Sequence, residues 1–312
     1  MKVSEYLTEW LEAQELCIQR STYESLTVYF NRHLIPYFEA LNIELADLKA
    51  KHVQAYAKLK LKSGRLDGKQ GGLSLVSVQK HISVLKQALN DAVVAEYIPN
   101  NPASFVKLPK QKNKLTERTV LLTAAEAQEV INAFDGHPLQ AAVVITLYYG
   151  LRKSELLGLR WSAIDFQRNT LIINHTVVKS LTIECKDSTK TESSRRTFQL
   201  LPEVKEMLLQ MRENCHTSGE YIFCREDGSP MRPDTLTRSF QRVLHRHNLP
   251  MMRFHDLRHS TASILLDKGW SLEDIKNWLG HSDIETTSNI YVHYGRCRQI
   301  LMANTLVGTF AI

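Results

Sequence analysis

The chain has 312 residues, of which 43% are hydrophobic, and 39 basic against 33 acidic side chains give it a formal net charge of +6. This length and composition exclude a disordered scaffold and predict two domains with packed cores. Acidic residues interrupt the first fifteen positions and no long apolar run follows, so we expect no secretory signal and no membrane span. Five scattered cysteines without a CxxC pair predict neither a disulfide framework nor a structural zinc, and we expect reduced thiols and a cytoplasmic, nucleoid-associated location.

The basic residues are concentrated in one part of the first domain. Residues 1–48 carry eight acidic and three basic side chains, whereas residues 49–80 carry eight basic ones and a single acid, Asp67. Phosphate neutralisation would explain this segregation, although a solvated helix face is the alternative. Lys58 and Lys62 in the basic stretch are therefore candidate DNA contacts.

Residues 1–106 are predicted to form a helical, DNA-binding domain. Ser21 and Glu24 have the spacing of a capping box that opens one helix, and a second long helix is expected from about Ser74 to Glu96. Side chains on that second helix are candidates for reading the DNA groove: Lys80, His81 and Lys86.

Residues 107–118 combine one proline with five basic residues and few apolar ones, which predicts an interdomain linker lying along DNA. The second domain, 119–312, opens at a capping box of Thr123 and Glu126. Segments 170–178 and 196–200, rich in β-branched residues, predict an antiparallel pair flanking the polar tip 186–195. The fold class is therefore mainly α with a small antiparallel β-sheet.

After Pro202 the pattern is again helical. A helix expected over 234–247, capped by Asp234, carries three arginines at successive i, i+4 positions: Arg238, Arg242 and Arg246. Like charges at this spacing destabilise an isolated helix, so a polyanionic partner explains the stripe better than solvent does.

Several short motifs carry polar side chains suited to a phosphate. Arg152 and Glu155 share a helix face, as do His255 and Arg258. His281 follows Gly280, which ends a helix, and Tyr291 comes ten residues later. Each motif alone also fits a surface ion pair, a capping network or a buried tyrosine.

The order of these motifs resembles that of the tyrosine recombinases, and the chain looks like a phage or conjugative-transposon integrase. The matching segments are GLRxSE at 150–155, TKTxxSxR at 189–196, HDLRHS at 255–260, LGH at 279–281 and IYVH at 290–293. The match covers the whole predicted catalytic domain, and the helical first part resembles the core-binding domain of that family.

The resemblance implies a role for each matching residue. Tyr291 is the expected nucleophile, forming a 3′-phosphotyrosyl link, while Arg152 and Arg258 clamp the phosphate oxygens and Glu155 orients Arg152. Lys190 is expected to protonate the 5′-oxygen, with Lys186 as its competitor. The remaining two roles fall to His255, as acid or base, and to His281, as a donor to phosphate. No metal and no nucleotide are required.

The resemblance also implies partners: duplex DNA, three further copies of the chain in a homotetramer that forms a Holliday junction, and an accessory bending or excisionase factor. The apolar tail, about 296–312, is expected to dock on a neighbouring protomer. The chain begins with the core-binding part, so we expect the arm-binding module of many integrases to be absent or trimmed. The polar tip differs from the GKGxKxR of chromosome-dimer resolvases, which favours an integrase.

Two rival functions remain from the sequence. A type IB topoisomerase shares the tyrosine and the basic residues but works as a monomer. A DNA-binding regulator without catalysis is expected to lack Arg152, Arg258 or Tyr291, and all three are present.

Overall fold

The computed structural model describes residues 1–109, 120–179, 183–186, 195–214 and 219–280. The chain divides into two compact units, Met1–Leu115 and Thr116–Ile312, and each is described by itself. The structure is mainly helical with short antiparallel strands, which confirms the predicted fold class. Within the described ranges, no helix combines the length and the apolar character needed to cross a bilayer.

The first unit is a bundle of five α-helices in its described part. They are α1 (Val3–Gln14), α2 (Arg20–Tyr29), α3 (Ile35–Leu41), α4 (Ala50–Ser63) and α5 (Leu75–Val94). Apolar side chains recurring on α5 fill the centre of the bundle, among them Val78, Leu85 and Leu89, which are fully buried. α1 is tied to α5 because the Tyr6 hydroxyl donates to the Ala88 carbonyl at 2.6 Å.

The start of α5 is as predicted, because the Ser74 hydroxyl accepts from the Ser77 amide at the amino end of the helix. The capping box predicted at Ser21 is wrong. The helix begins one residue earlier, at Arg20, and no side chain caps it. Glu24 lies instead beside Arg20, one turn away, with 3.6 Å between Nε and Oε1.

A π-helical turn, Phe30–Leu34, joins α2 to α3. Pro36 lies in the first turn of α3. Because proline has no amide hydrogen and its ring crowds the carbonyl four residues earlier, a regular α-helix is not continued through this point, and the wider turn accommodates it. This segment therefore forms two helices with a bulge between them.

The second unit contains seven α-helices among its described residues. They are α6 (Ala124–Ala133), α7 (Gln140–Tyr149), α8 (Lys153–Leu157), α9 (Pro202–Glu213), α10 (Pro233–Arg246), α11 (Phe254–Asp267) and α12 (Leu272–Leu279). α7 is buried on nearly all sides and packs against α11 and α9, so it forms the centre of this unit. The capping box of Thr123 and Glu126 at α6 is confirmed.

The strands form two small sheets. β1 (Ile164–Asp165), β2 (Thr170–Ile173) and β5 (Arg196–Gln199) make one, and β3 (Thr176–Lys179) with β4 (Ile183–Lys186) makes the other. The predicted antiparallel pairing of β2 with β5 is confirmed, with Thr170 opposite Gln199.

The prediction of one continuous strand over 170–178 is wrong. The strand breaks at His175, whose buried ring lies 3.1 Å from the Tyr221 hydroxyl. Its backbone also packs closely on Gly158, where an added Cβ would come within 2.5 Å of the His175 carbonyl oxygen. Packing at this residue therefore turns the chain out of the first sheet and into the second.

The predicted cap of α10 is also wrong. The helix begins at Pro233, and Arg232, not Asp234, is the residue before its first turn. Proline suits the first helical position because its φ is already helical and its missing amide hydrogen is not needed there. Asp234 lies within the first turn instead, where its negative charge is favourable.

Candidate active site

One buried carboxylate, that of Glu155 on α8, is surrounded by three arginines. Its Oε1 accepts from Arg152 Nη1 at 2.7 Å, and its Oε2 accepts from Arg196 Nη2 at 3.0 Å. Arg258 Nη1 lies 3.9 Å from the same Oε2. These side chains come from the start of α8, from β5 and from α11, so the fold brings together residues that are far apart along the chain.

Backbone carbonyl oxygens hold the guanidinium groups on their other side. Arg258, 1% exposed, donates to the carbonyls of Gly150 and Leu279, and Arg152 Nη2 donates to Gly280 at 2.8 Å. Gly150 ends α7 in the left-handed region at φ 60°, and Gly280 ends α12 at φ 63°. The carboxyl end of α12 carries partial negative charge, which favours the two arginines there.

Positive charge exceeds negative charge in this cluster, since one carboxylate faces three guanidinium groups. Burial would raise the pKa of Glu155, but the charges of Arg196, Arg152 and Arg258 outweigh it and hold that pKa below its ordinary value. Burial, together with repulsion from Arg152, lowers the pKa of Arg258 to about 9. A bound anion would relieve this repulsion, and the side chain of Arg152, 32% exposed, is accessible to one.

His255 lies at the surface of α11, one turn before Arg258, as the motif predicted. Its ring packs edge-on against that of His259, with 4.8 Å between the ring centres. Partial burial lowers the pKa of His255 to about 4, and the neighbouring His259 and Arg258 add to the shift. In the free protein at neutral pH the imidazole is therefore uncharged and able to accept a proton.

Comparison with known proteins gives the family. The profile described as "Phage integrase family" matches residues 119–296, which is more than half of the chain, and that of the "Phage integrase, N-terminal SAM-like domain" matches residues 2–60. The chain belongs to the phage integrase family. Members of this family are tyrosine-type site-specific DNA recombinases, and the chain is an enzyme of that class.

Named relatives align with most of this chain. It is 27% identical to "Tyrosine recombinase XerC-like" of Caldanaerobacter subterraneus, over 84% of this chain and 71% of the relative. It is 26% identical to "ICEBs1 integrase" of Bacillus subtilis, over 95% of this chain and 80% of the relative.

Solved structures of integrases have the same fold. The Tn1549 transposon integrase in complex with a circular intermediate DNA is 21% identical, with a TM-score of 0.76 over 97% of this chain and 99% of that one. The lambda integrase dimer bound to a core site gives a TM-score of 0.67 at 20% identity, over 91% of this chain and 96% of that one.

The remaining predicted site residues of the integrase fall in two groups. Lys190, His281 and Tyr291 lie outside the described residues. Lys186 ends β4, where the backbone alone is described. The described part thus contains the arginine cluster and His255, and the nucleophile stays a prediction from the motif.

Seven of the eight predicted DNA contacts are exposed, as a contact requires: Lys58, Lys62, Lys80, Lys86, Arg238, Arg242 and Arg246. The prediction that His81 contacts DNA is wrong. The residue is 2% exposed, and its Nδ1 lies 2.8 Å from the Tyr56 hydroxyl. His81 lies on the buried face of α5, next to Ile82, so its ring is part of the core of the first unit.

Arg196 was missed by the sequence reasoning, although it ends the TKTxxSxR segment. It alternates with Phe198 on the inward face of β5, and both residues are buried. In a strand whose side chains alternate between core and solvent, an arginine at a core-facing position is a signal that could have identified Arg196, because a buried guanidinium needs an acidic or polar partner.

Proposed function

We propose that this integrase cuts and rejoins DNA at specific sites through a covalent link between Tyr291 and a 3′-phosphate, and that it moves a mobile element by this reaction. The observation that carries the proposal is the excess of positive charge around Glu155, where Arg152 and Arg258 are held ready for an anion. A phosphodiester passing through a pentavalent transition state is the anion that paired guanidinium donors suit.

The proposed chemistry balances without a cofactor. The Tyr291 oxygen forms a bond to phosphorus while the bond from phosphorus to the 5′-oxygen breaks, so the phosphodiester energy is kept in the new ester. The tyrosine proton passes to His255, which is neutral at pH 7 because of its lowered pKa. Lys190 donates a proton to the departing 5′-oxygen, and His281 donates a hydrogen bond to a phosphate oxygen.

The rest of the proposal concerns the DNA and the assembly. Residues 1–106 would bind one side of a core site through exposed lysines on α4 and α5, and the stripe on α10 would bind backbone phosphates. Residues 107–118 would join this domain to the catalytic domain, 119–312. Four copies would assemble on DNA, exchange their tails at about 296–312 and pass through a Holliday junction, with an accessory bending or excisionase factor setting direction.

Resolution of chromosome dimers is a second candidate, favoured by one observation. The relative from Caldanaerobacter is named XerC-like, whereas those from Bacillus subtilis and Streptomyces ambofaciens are named integrases. The two functions share their chemistry and differ in the DNA that is recombined. A type IB topoisomerase would instead relax supercoiled DNA without exchanging strands.

The test of the chemistry is a covalent adduct. Duplexes from the DNA flanking the gene, nicked near candidate cleavage positions so that rejoining fails, are incubated with the protein and denatured in detergent. We expect an adduct with the unaltered chain and none with Tyr291→Phe. The matched control is Tyr148→Phe, since Tyr148 is an exposed tyrosine of the same unit that lies outside the arginine cluster.

An adduct that persists in Tyr291→Phe would refute the assignment of the nucleophile. Recombination of paired sites by the active protein, followed on plasmids, then separates strand exchange from relaxation. Relaxation of supercoils with no exchanged product would favour the topoisomerase.

A further inference from the structure

Arg196 lies beside the phosphate-binding arginines but differs from them in burial. Its side chain is 7% exposed, compared with 32% for Arg152. Its Nη2 donates to Glu155 Oε2 at 3.0 Å, on the oxygen opposite to the one that Arg152 Nη1 contacts. The Arg152 backbone amide also donates to Oε2, at 2.9 Å, so the two guanidinium groups and this amide together orient the carboxylate of Glu155.

The guanidinium of Arg196 also packs against the end of α12. A Cβ built on Gly280 would come within 2.0 Å of Arg196 Nη1, so glycine is required there for space as well as for its φ of 63°. Phe198 lies beneath the guanidinium, 5.4 Å from ring centre to Cζ. Among the described residues, the Nε and Nη1 atoms have no hydrogen-bond partner, and packing and the bond to Glu155 hold the side chain in place.

We propose that Arg196 is a positioning residue for DNA cleavage, acting through Glu155 to hold Arg152 in the orientation that binds the scissile phosphate. This inference rests on the proposed function. Loss of the guanidinium would leave Oε2 with the Arg152 backbone amide as its donor, at 2.9 Å, and with Arg258 Nη1 at 3.9 Å. The carboxylate could then turn about this amide hydrogen bond toward Arg258 and loosen its hold on the Arg152 guanidinium, whose donors must face a phosphate for the transition state to be stabilised.

The position of Arg196 in the chain adds a second consequence. It lies at the start of β5, six residues after Lys190, and it packs on Gly280, the residue before His281. One buried side chain therefore joins the strand that follows the predicted lysine to the glycine that precedes the predicted histidine.

The first test measures adduct formation in a single turnover at saturating DNA, with DNA affinity measured separately. We expect Arg196→Gln to slow cleavage roughly 10- to 100-fold, the range seen for groups that orient a ligand-binding residue, with less than about a two-fold change in DNA affinity. Arg196→Lys retains a charge that can reach Glu155, so it should restore part of the rate. An unchanged rate in Arg196→Gln would overturn the proposal.

A double-mutant cycle tests whether the effect passes through Glu155. If it does, Arg196→Gln should slow cleavage in the unaltered chain and have little further effect when Glu155→Gln is already present. The same fold-change in both backgrounds would contradict the proposed route. Rates are compared below the lowest unfolding temperature of the set, so that lost folding does not count as lost positioning.

A second variant displaces the guanidinium without removing it. Gly280→Ala should push Arg196 away from Glu155 and slow cleavage. In a chain that already carries Arg196→Gln the clash is gone, so Gly280→Ala should reduce the cleavage rate much less. Gly269→Ala is the matched control, because Gly269 has φ 87° with no atom within 4 Å of an added Cβ. The Gly269→Ala substitution therefore introduces backbone strain without displacing any side chain.

These outcomes are distinct from failure of the proposed function. If the unaltered chain forms no adduct that depends on Tyr291, the proposed function fails. If it does form that adduct, and Arg196→Gln and Gly280→Ala cleave at the unaltered rate, the positioning role alone is refuted.

Discussion

The imidazole of His81 lies in the core of the first unit, where burial lowers its pKa to about 4. The charged and titratable groups around it are His33 from the π-helical turn, at 4.8 Å between ring centres, Tyr29 from α2, and Tyr56 and Lys60 from α4. Burial likewise lowers the pKa of His33. Both rings are thus held in the neutral form by the fold.

The sign of the pH dependence follows from these shifts. Between pH 6.5, the ordinary histidine value, and about pH 4, the unfolded chain binds more protons than the folded one. The free energy of unfolding should therefore fall as the pH is lowered through this window, by about 3 kcal/mol from His81 at most. His33 acts in the same direction.

A glutamine at this position tests the effect. His81→Gln does not titrate but can still bond to the Tyr56 hydroxyl, so we expect a smaller loss of stability between pH 7 and pH 4.5. The measurement is a urea series at each pH, with hydrogen exchange of the α5 amides reporting unfolding of this unit. His247→Gln, at an exposed histidine of the other unit, is the control. An equal loss in His81→Gln would mean that another group dominates.

At the scale of elements, α10 presents a row of arginines that the fold leaves in solvent. Arg238, Arg242 and Arg246 are exposed, and none forms an ion pair with a residue that the structure describes. Eight residues of helix rise about 12 Å, which is enough to follow several phosphates of one strand. Lys153 Nζ, next to Arg152, lies 3.3 Å from the Thr237 hydroxyl, so this row begins beside the candidate active site.

Salt dependence measures how many of these arginines contact phosphate. Each phosphate contact contributes about 0.9 to the slope of log affinity against log salt, so replacing all three with glutamine should reduce the slope by up to about 2.7. The control removes the same charge from exposed positions elsewhere in the unit: Arg168, Arg225 and Lys268. Equal slopes in the two triple variants would show that the row acts only through net charge.

At the scale of the whole molecule, the division into two compact units suggests that limited proteolysis can test the predicted linker, residues 107–118. Its five basic residues are trypsin sites. We expect brief digestion to cut first within 107–118 and to leave two fragments that resist further cleavage. Core-site DNA should slow this cut if the linker lies along the phosphates. First cuts outside 107–118, or equal rates with and without DNA, would contradict the prediction.

Local patterns in the sequence were sufficient for much of the fold. Ser74 and Thr123 start helices where the sequence predicts, and Gly280 ends one as predicted, because caps and left-handed glycines depend on a few neighbouring residues. The strand error arose where packing intervened, because His175 breaks a strand that composition alone would continue.

The sequence by itself determined the family and the catalytic residues expected of it, because those rest on short motifs in a fixed order. Only the tertiary structure decided that Arg196 joins Arg152 and Arg258 around Glu155, and that His81 faces the core instead of DNA. The physical reason is that the surroundings of a side chain are set by elements distant in the chain. A lone charge or imidazole in the sequence does not reveal which partners, or how much water, the fold will place around it.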